Sequence, residues 1–382
     1  MSKTAIVKCA AYQQDNVDSA VREGLNLLGG IERYVWPGAK VLVKPNLITA
    51  RRPDEAATTH PAVVKALVQV VQAAGGLVNI ADSPGGPFSH ERLEEIYATS
   101  GLAQVAAETG ARLNYDLTTV NLPHPEGQLL KGVTVIRAVA EADAVITVPK
   151  LKTHTLTGLT GAVKVAFGAV PSPLKTEYHL RLPKVGDFSQ ALLDICSLVD
   201  PRLTVMDAVV GMEGEGPSAG NPRPIGAILA SADSLACDVA AAALVGFDPL
   251  AVSTTRAAVS LGLTSGRLAD IELVGSSLSE LRVNSFKPAS TWLATNRISE
   301  FLLGIYGRVA GPRPVVNSDC NGCRTCQRNC PPQAITMANK RPVVDYGKCI
   351  HCFCCQELCP QQVVTIHHSW LGRMILRARE AR

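Results

Sequence analysis

Aromatic side chains are scarce in this sequence, where Phe, Trp and Tyr together make up 4% of the 382 residues. Proteins that stack nucleic-acid bases need such rings beside their basic residues, so the composition argues against nucleic-acid binding. Long apolar runs are also missing: nowhere do about 18 apolar residues follow one another, and the start, MSKTAIVKCAAYQQ, has no signal-peptide core. We therefore expect a soluble, cytoplasmic protein without a transmembrane segment.

Blocks of like charge and low-complexity tracts are missing as well, and 47% of the residues are hydrophobic. A chain of this length and composition can form two or three domains with buried cores, which excludes general disorder. The net charge is only +4, but it is uneven, because residues 282–382 hold 14 basic and 5 acidic residues. A basic C-terminal part of this kind suits docking to an acidic partner protein.

The sequence also lacks a nucleotide-binding fingerprint. The glycine-rich stretch 211–220 holds Glu213 and Glu215 but no Lys or Arg, so it is neither a phosphate-binding P-loop nor a Gly-x-Gly-x-x-Gly turn. A nicotinamide coenzyme is therefore not expected. A flavin, whose sites often carry no short motif, and a divalent metal both stay open.

Cysteine, by contrast, is concentrated in one segment. Nine of the twelve cysteines lie within residues 320–359. The spacing Cys-x2-Cys-x2-Cys-x3-Cys-Pro occurs twice there, beginning at Cys320 and at Cys349. A disulfide framework belongs to short secreted chains, and zinc ribbons use two separated Cys-x2-Cys knuckles. The repeat instead resembles a bacterial two-cluster ferredoxin, with a predicted strand after each Cys-Pro pair, at 334–335 and 363–364.

Such a repeat binds two cubane 4Fe-4S clusters. Each loop supplies three thiolates to one cluster, and in two-cluster ferredoxins the fourth thiolate comes from the other repeat. We therefore expect one cluster on Cys320, Cys323, Cys326 and Cys359, and the other on Cys349, Cys352, Cys355 and Cys330. Cys354 is an extra thiol, and its loss should leave both clusters in place.

The first 284 residues alternate short β-branched runs with amphipathic helical segments, which is typical of a wound α/β domain with a mostly parallel sheet. Strands are predicted at 41–43, 77–81, 144–148, 203–206, 225–230 and 271–274. One helix is well marked, because it begins at Pro61, has an apolar face that includes Leu67, and is closed by Gly75 and Gly76.

The rest of the chain divides into two parts. Residues 285–312 hold apolar residues at three- and four-residue steps, which predicts an amphipathic linker helix that docks the C-terminal domain onto the main domain. Residues 313–382 predict a small α+β ferredoxin-like domain that ends in a basic helix. Contact with a membrane surface is the alternative for both helices.

Polar residues follow the predicted strands of the main domain. Ligands bind beyond the carboxyl ends of parallel strands in wound sheets, so these residues are candidates for a single site. Each could instead belong to a turn, cap a helix or be a solvated lysine. Together they predict a cationic pocket for carboxylate or phosphate groups, made of Lys44, Lys150, Lys152, Lys164, His60 and His154, with Asn46, Asp82 and Ser83 beside them.

Three carboxylates, Asp207, Glu213 and Glu215, follow the predicted strand at 203–206. They could contact the substrate, bind a hard cation or abstract a proton. The simpler interpretation is that they are loop carboxylates that accept hydrogen bonds from backbone N–H groups.

Several short motifs of the main domain, followed by the cysteine repeat, resemble the iron-sulfur proteins of the domain-of-unknown-function family 362. The motifs are Lys44-Pro45-Asn46, Asp82-Ser83-Pro84-Gly85, Pro149-Lys150-Leu151-Lys152-Thr153-His154 and the stretches 207–216 and 233–238. The resemblance covers nearly the whole chain and implies a 4Fe-4S protein without an assigned reaction. The Gly-Glu-Gly stretch and the Lys-Thr-His motif are also similar to the nickel-pincer lactate racemase family.

Three classes of function are consistent with these features. In the first, an iron-sulfur oxidoreductase of anaerobic metabolism relays electrons from a soluble partner protein to an anionic substrate or cofactor. Lys150, Lys152 and Lys44 would hold that molecule, and His154 or His60 would protonate it. In the second, the chain is a non-catalytic electron carrier or maturation factor that reduces a partner protein. The third is a racemase or lyase with structural clusters; the oligomeric state is left open.

Overall fold

The computed structural model describes residues 1–295 and 311–380, and the side chains of most of them. The strands of the main domain are β1 Ser2–Lys8, β2 Lys40–Pro45, β3 Leu77–Ile80, β4 Arg112–Leu113, β5 Thr119–Pro123, β6 Gly132–Ile136, β7 Ala144–Val148, β8 Lys150–His154, β9 Gly158–Thr160, β10 Leu203–Glu213, β11 Asn221–Ser231 and β12 Ile271–Gly275. Ten of them form one sheet in the order β12-β1-β11-β10-β7-β2-β3-β4, with β8 beside β10 and β9 beside β8. Strands β5 and β6 form a separate antiparallel pair.

Most neighbours in this sheet are parallel, as the sequence predicted. Strands β4, β3, β2, β7 and β10 run the same way, and β1 and β12 are parallel to each other. Strand β11 runs antiparallel to both β10 and β1, because it is the return strand of a long hairpin whose turn is formed by residues 214–220. The residues that follow β11, Asp233 among them, therefore lie at the opposite edge from those that follow β2 and β3.

Helices cover both faces of the sheet. Those of the main domain are α1 Gln14–Leu27, α2 Pro61–Ala73, α3 His90–Thr99, α4 Leu102–Thr109, α5 Arg137–Ala140, α6 Ala162–Val165, α7 Ser172–Arg181, α8 Val185–Val199, α9 Ser234–Leu244, α10 Ser253–Ser260, α11 Leu278–Leu281 and α12 Ser290–Thr295. Short 3₁₀ helices lie at Ile31–Arg33, Pro53–Glu55, Ala166–Ala169, Pro249–Ala251 and Leu268–Asp270.

Helix α2 shows how local sequence fixes an element. Pro61 occupies its first turn, where a missing N–H costs nothing, and the His60 ring caps the helix by accepting a hydrogen bond from Ala62 N through Nδ1. Its predicted apolar face is buried, including Leu67 and Val68.

Two large cores lie on the two faces of the sheet. In β2, Val41 and Val43 pack into one core, while Leu42, between them, packs into the other. This alternation follows from the pleat of a strand. The middle of β2 and all of β7 are therefore buried on both faces, which explains the apolar runs at 41–43 and 144–146.

The C-terminal region is a small strand-and-helix unit. Strands β13 Arg313–Val316 and β16 Val364–His367 form one antiparallel pair, and β14 Ile335–Ala338 and β15 Arg341–Val344 form the other. Short helices α13 Thr325–Arg328 and α14 Cys354–Glu357 each follow a cysteine loop, and α15 Trp370–Glu380 ends the described chain. Most of the predicted linker helix, residues 296–310, lies outside the described residues. Across residues 1–295 and 311–380, no helix has the length and apolar character needed to cross a membrane.

Candidate functional site

The cysteines of the two repeats come together across the repeats. Cys330 of the first repeat and Cys349, Cys352 and Cys355 of the second line a cavity of about 330 Å³. Most of its other walls are apolar, including Ile335. One cysteine of the first repeat thus faces three of the second.

The remaining four motif cysteines form a second group. Burial, together with the nearby thiols of Cys359, Cys320 and Cys323, raises the pKa of the Cys326 thiol to about 11. Cys359 and Cys320 also pack in one small apolar cluster with Val364. Here one cysteine of the second repeat joins three of the first.

The backbone around these thiols suits an iron-sulfur cluster. Ala334 N donates a hydrogen bond to Cys330 Sγ at 3.2 Å, and peptide N–H donors of this kind stabilise thiolate ligands. The two loops also share a conformation, because the residue after the second cysteine of each, Arg324 and Phe353, is left-handed, with φ of 63° and 59°. The matched conformations make the two loops equivalent, and the residues present fit two such clusters.

A larger cavity lies beyond the carboxyl ends of β2 and β3. Its volume is about 760 Å³, open mouth included, and one wall comes from helix α14 of the C-terminal unit. The cavity, which we call the lysine cavity, is lined by four lysines and two carboxylates: Lys44, Lys152, Lys164, Lys175, Asp82 and Glu357. Five sequence-predicted residues, Lys44, Asn46, Asp82, Lys152 and Lys164, therefore meet at one site.

Two of these charged groups neutralise each other. Lys44 Nζ lies 2.6 Å from Asp82 Oδ1, and both side chains are buried. The other oxygen of Asp82 accepts a hydrogen bond from Leu47 N at 2.9 Å. A Cβ at Gly168 would clash with both ends of this ion pair, so glycine is required there for the pair to form.

The other lysines have fewer protein partners. Lys152 Nζ donates to Ala57 O at 2.6 Å, and burial, with Lys164 nearby, lowers its pKa to about 7. Lys175 donates to Ser83 O and lies over the Phe167 ring, and burial lowers its pKa to about 8. Lys164 makes no hydrogen bond or ion pair with any residue that the structure describes, and burial lowers its pKa.

Several cavity residues were not predicted from the sequence, among them Glu357, Thr160, Lys175 and His179. The Thr160 hydroxyl is buried and has no partner among the described residues, although it lines the cavity. Lys175 and His179 line it from helix α7, and burial lowers the pKa of His179 to about 4. Their four-residue spacing, which places both on one helix face, is the signal that could have revealed them.

The C-terminal unit docks on the main domain at this cavity. Arg51 donates to the carbonyl of Cys359 at 3.0 Å, and Ser218 donates to the carbonyl of Glu357 at 2.8 Å. The Leu358 side chain packs so closely on Gly85 that a Cβ there would clash with it. Residues 357–359, which include the motif cysteine Cys359, are therefore held by loops of the main domain.

Lys150 and His60 lie elsewhere, which corrects the prediction of one shared pocket. Lys150 is fully buried, and its Nζ lies 2.9 Å from Asp207 Oδ2 and 2.7 Å from the hydroxyl of Tyr12. Tyr12 donates to the other oxygen of Asp207 and stacks on His60, with ring centroids 3.6 Å apart. The reason is that residues 150–154 continue as strand β8 beside β10, which carries Lys150 to Asp207 rather than to the cavity.

His154 is also buried away from the cavity lining. Its Nδ1 accepts hydrogen bonds from Leu156 N and Thr157 N, whereas Nε2 has no partner in the described chain. Burial, with Lys164 and His179 nearby, lowers its pKa well below the ordinary value. The ring caps a turn and is not part of the lining of the lysine cavity.

Glu213, Glu215 and Ser83 bond to backbone instead of lining the cavity. Glu213 accepts from Lys287 N at 3.1 Å, and Glu215 accepts from Ser290 N at 2.9 Å. These contacts tie the β10–β11 turn to the segment that leads into α12. The Ser83 hydroxyl accepts from Ser172 N. Among the described residues, none of these three belongs to a group of His, Cys, Asp or Glu that is placed to hold a single metal ion.

Comparison with known families agrees with this organisation. A model described as "Domain of unknown function (DUF362)" matches residues 41–243, just over half of the chain. The chain belongs to the DUF362 family. A second model, described as "4Fe-4S dicluster domain", matches residues 314–360. This DUF362 protein therefore carries two 4Fe-4S clusters in its C-terminal part.

A curated relative and a solved structure are similar to this DUF362 chain. The "Thylakoid-associated protein sll1697" of Synechocystis sp. is 31% identical over 273 residues, which cover 69% of this chain and 80% of that protein. The lactate racemase apoprotein from Thermoanaerobacterium thermosaccharolyticum matches with a TM-score of 0.39 and 13% identity, over 61% of this chain and 55% of that one. The chain thus spans just over half the length of that structure.

Proposed function

We propose that this protein is an iron-sulfur oxidoreductase that passes electrons from a soluble partner protein to an anionic small molecule in the lysine cavity. One observation carries the proposal: Cys354, Glu357 and Leu358 form a wall of that cavity. The motif cysteines Cys355 and Cys359 lie within the same short segment. In this proposal, the clusters that donate electrons and the lysine cavity that holds the acceptor are thus separated by a single helical turn.

We assign the cluster ligands as the two groups of cysteines described above. Cys320, Cys323, Cys326 and Cys359 hold one cluster, and Cys349, Cys352, Cys355 and Cys330 hold the other. A 4Fe-4S cluster supplies transfer of single electrons. The cross-repeat pairing places both clusters inside one small unit, so electrons that enter from a partner protein need to pass only a short distance to the cavity.

The charge of the cavity supports an anionic substrate. Four lysines face two carboxylates there, and Asp82 is already paired with Lys44. Lys164 and the Thr160 hydroxyl, which lack partners among the described residues, offer an ammonium and an O–H to a carboxylate or phosphate oxygen.

Lys152 supplies the proton that accompanies reduction in this proposal. Its ammonium is held by the carbonyl of Ala57, and burial lowers its pKa to about 7. A general acid works best when its pKa lies near the working pH. The cavity residue Lys152 thus takes the role that the sequence alone suggested for His154 and His60.

The test uses full-length protein, purified and reduced chemically without oxygen. We expect the small-molecule filtrate of the source cells to reoxidise the clusters, with one anionic component depleted in mass spectra. The Lys164→Gln variant, which removes the unpartnered ammonium and leaves every cluster cysteine in place, should reoxidise at least tenfold more slowly at equal iron content. Reoxidation by the protein fraction alone would contradict the proposal and favour an electron carrier that reduces a partner.

A further inference from the structure

Arg51 connects the main domain to the C-terminal cluster unit. It follows β2, only 5% of it is exposed, and its guanidinium reaches a residue 308 positions away in the chain. Nη2 donates to the carbonyl of Cys359 at 3.0 Å, and Nη1 pairs with Glu55 Oε2 at 3.1 Å. Nε is buried and has no hydrogen-bond partner among the described residues.

A buried N–H without a partner is costly, and native proteins rarely leave one. Here the unpartnered N–H belongs to a cation that already touches the backbone of Cys359, a cysteine that we assign to the first cluster. Cluster sulfurs accept hydrogen bonds, and both such bonds and nearby positive charge stabilise the reduced, more negative form. The charge of Arg51, its contact with Cys359 and its unpartnered Nε–H all indicate that a sulfur of this cluster is the acceptor.

We propose that Arg51 raises the reduction potential of the cluster bound through Cys359, by its charge and by donating Nε–H to a sulfur of that cluster. This inference rests on the ligand assignment given under the proposed function, but not on the substrate. Because Arg51 belongs to the main domain, the potential of this cluster depends on docking of the two units. The C-terminal unit undocked from the main domain has a more negative potential at that cluster.

Redox titration of full-length protein, followed by electron paramagnetic resonance without substrate, tests the role of Arg51. In Arg51→Gln we expect the midpoint potential of one cluster to become more negative by roughly 59 mV. This shift corresponds to about a tenfold change of the one-electron equilibrium constant in favour of the oxidised form. The second midpoint potential should stay unchanged. The matched control is Arg52→Gln, because the Arg52 guanidinium is exposed and forms its ion pair with the exposed carboxylate of Asp54.

Three further variants separate charge from docking. Arg51→Lys keeps the charge without the Nε donor, so its shift should be smaller than that of Arg51→Gln, and this variant also serves if the glutamine variant does not fold. Glu55→Gln removes the counter-charge of Arg51 and should shift the same midpoint in the positive direction. Ser218→Ala loses the docking hydrogen bond to Glu357 but no charge, and it should leave both midpoints in place.

Several outcomes would overturn the role of Arg51. They are an unchanged midpoint in Arg51→Gln, an equal shift of both clusters, or a shift in Ser218→Ala as large as that in Arg51→Gln. Iron content separates this failure from failure of the ligand assignment, because wild-type protein must contain eight irons in two centres. Reoxidation by the small-molecule filtrate is measured independently and tests the substrate alone.

Discussion

Strand β8 carries two buried lysines, Lys150 and Lys152, with opposite surroundings. Lys150 belongs to a closed set of groups, which we call the Lys150 network: Lys150, Asp207, Tyr12 and His60. Both oxygens of Asp207 and the Tyr12 hydroxyl are hydrogen-bonded there. Lys152 has one carbonyl partner and faces an open cavity beside Lys164, whose ammonium has none in the described chain.

This comparison shows how buried charges that stabilise the fold differ from buried charges that are available to a ligand. A buried cation costs several kcal/mol to desolvate unless partners surround it, so a saturated network holds the fold together and leaves nothing for a ligand. An unsaturated cation at a cavity keeps its hydrogen-bonding capacity for a molecule from outside. Residue type alone does not distinguish Lys150 from Lys152, whereas their partners do.

Breaking the Lys150 network should have the largest effect. Lys150→Met leaves the Asp207 carboxylate buried without its cation, which should lower the free energy of unfolding by roughly 3–5 kcal/mol. Urea unfolding followed by circular dichroism, without oxygen, measures this. Lys3→Met, which removes an exposed pair with Glu272, should cost no more than about 1 kcal/mol. If Lys150→Met instead weakened anion binding at unchanged stability, the distinction between the two lysines would fail.

Removing Lys164 should weaken anion binding and leave the stability of the fold almost unchanged. With sulfate as the probe anion, Lys164→Gln should weaken binding roughly 10- to 100-fold, because a charge-assisted hydrogen bond contributes about 1.5–3 kcal/mol. The free energy of unfolding should change by less than about 1 kcal/mol, since no described residue pairs with this ammonium. Calorimetry with sulfate measures the affinity, and Lys65→Gln, on the exposed pair with Glu108, is the matched control. Equal affinity in both variants would remove Lys164 from the site.

The pH dependence of sulfate affinity should be the smallest effect. Burial lowers the pKa of Lys152 to about 7 and of Lys175 to about 8, so both are charged below those values. Sulfate needs the charged forms, and affinity should therefore fall between about pH 6 and about pH 9, by at most about tenfold per pH unit for each lysine. Calorimetry in buffers of different ionisation enthalpy should show proton uptake on binding near neutral pH.

The stability of the ligand-free protein should respond in the opposite direction. Because the folded pKa of each lysine lies below its ordinary value, the folded state binds fewer protons than the unfolded state as pH rises from about 7 toward about 10. The contribution of these lysines to the free energy of unfolding therefore rises with pH over that range. Lys175→Arg, which stays charged throughout, should reduce both trends, and unchanged trends would mean that other groups cause them.

The cysteine ligands were the easiest part to predict, because their spacing is local and repeats. Lys44, Lys152 and Lys164 were found because each comes after a predicted strand in the sequence. The position of Lys150 could not be found in this way, since its partner Asp207 lies 57 residues away. Which residue of a continuing strand faces which neighbour depends on register, and register is not written in either segment alone.

Other parts of the site depend on contacts between distant segments. The return direction of β11 follows from the hairpin with β10, so sheet order could not be read from the strand pattern. Lys175 and His179 lie on a helix and were missed by a search of strand ends. The wall formed by residues 354–358 exists only because the C-terminal unit docks on loops near Arg51 and Ser218.

That shared wall also determines what happens when the protein is damaged. Residues 354–358 lie between proposed cluster ligands and line the lysine cavity at the same time. Because iron binding and the folding of a small cluster unit are coupled, a chain that loses its iron to oxygen loses this wall as well. Under the proposed function, loss of the clusters therefore also removes one wall of the anion site.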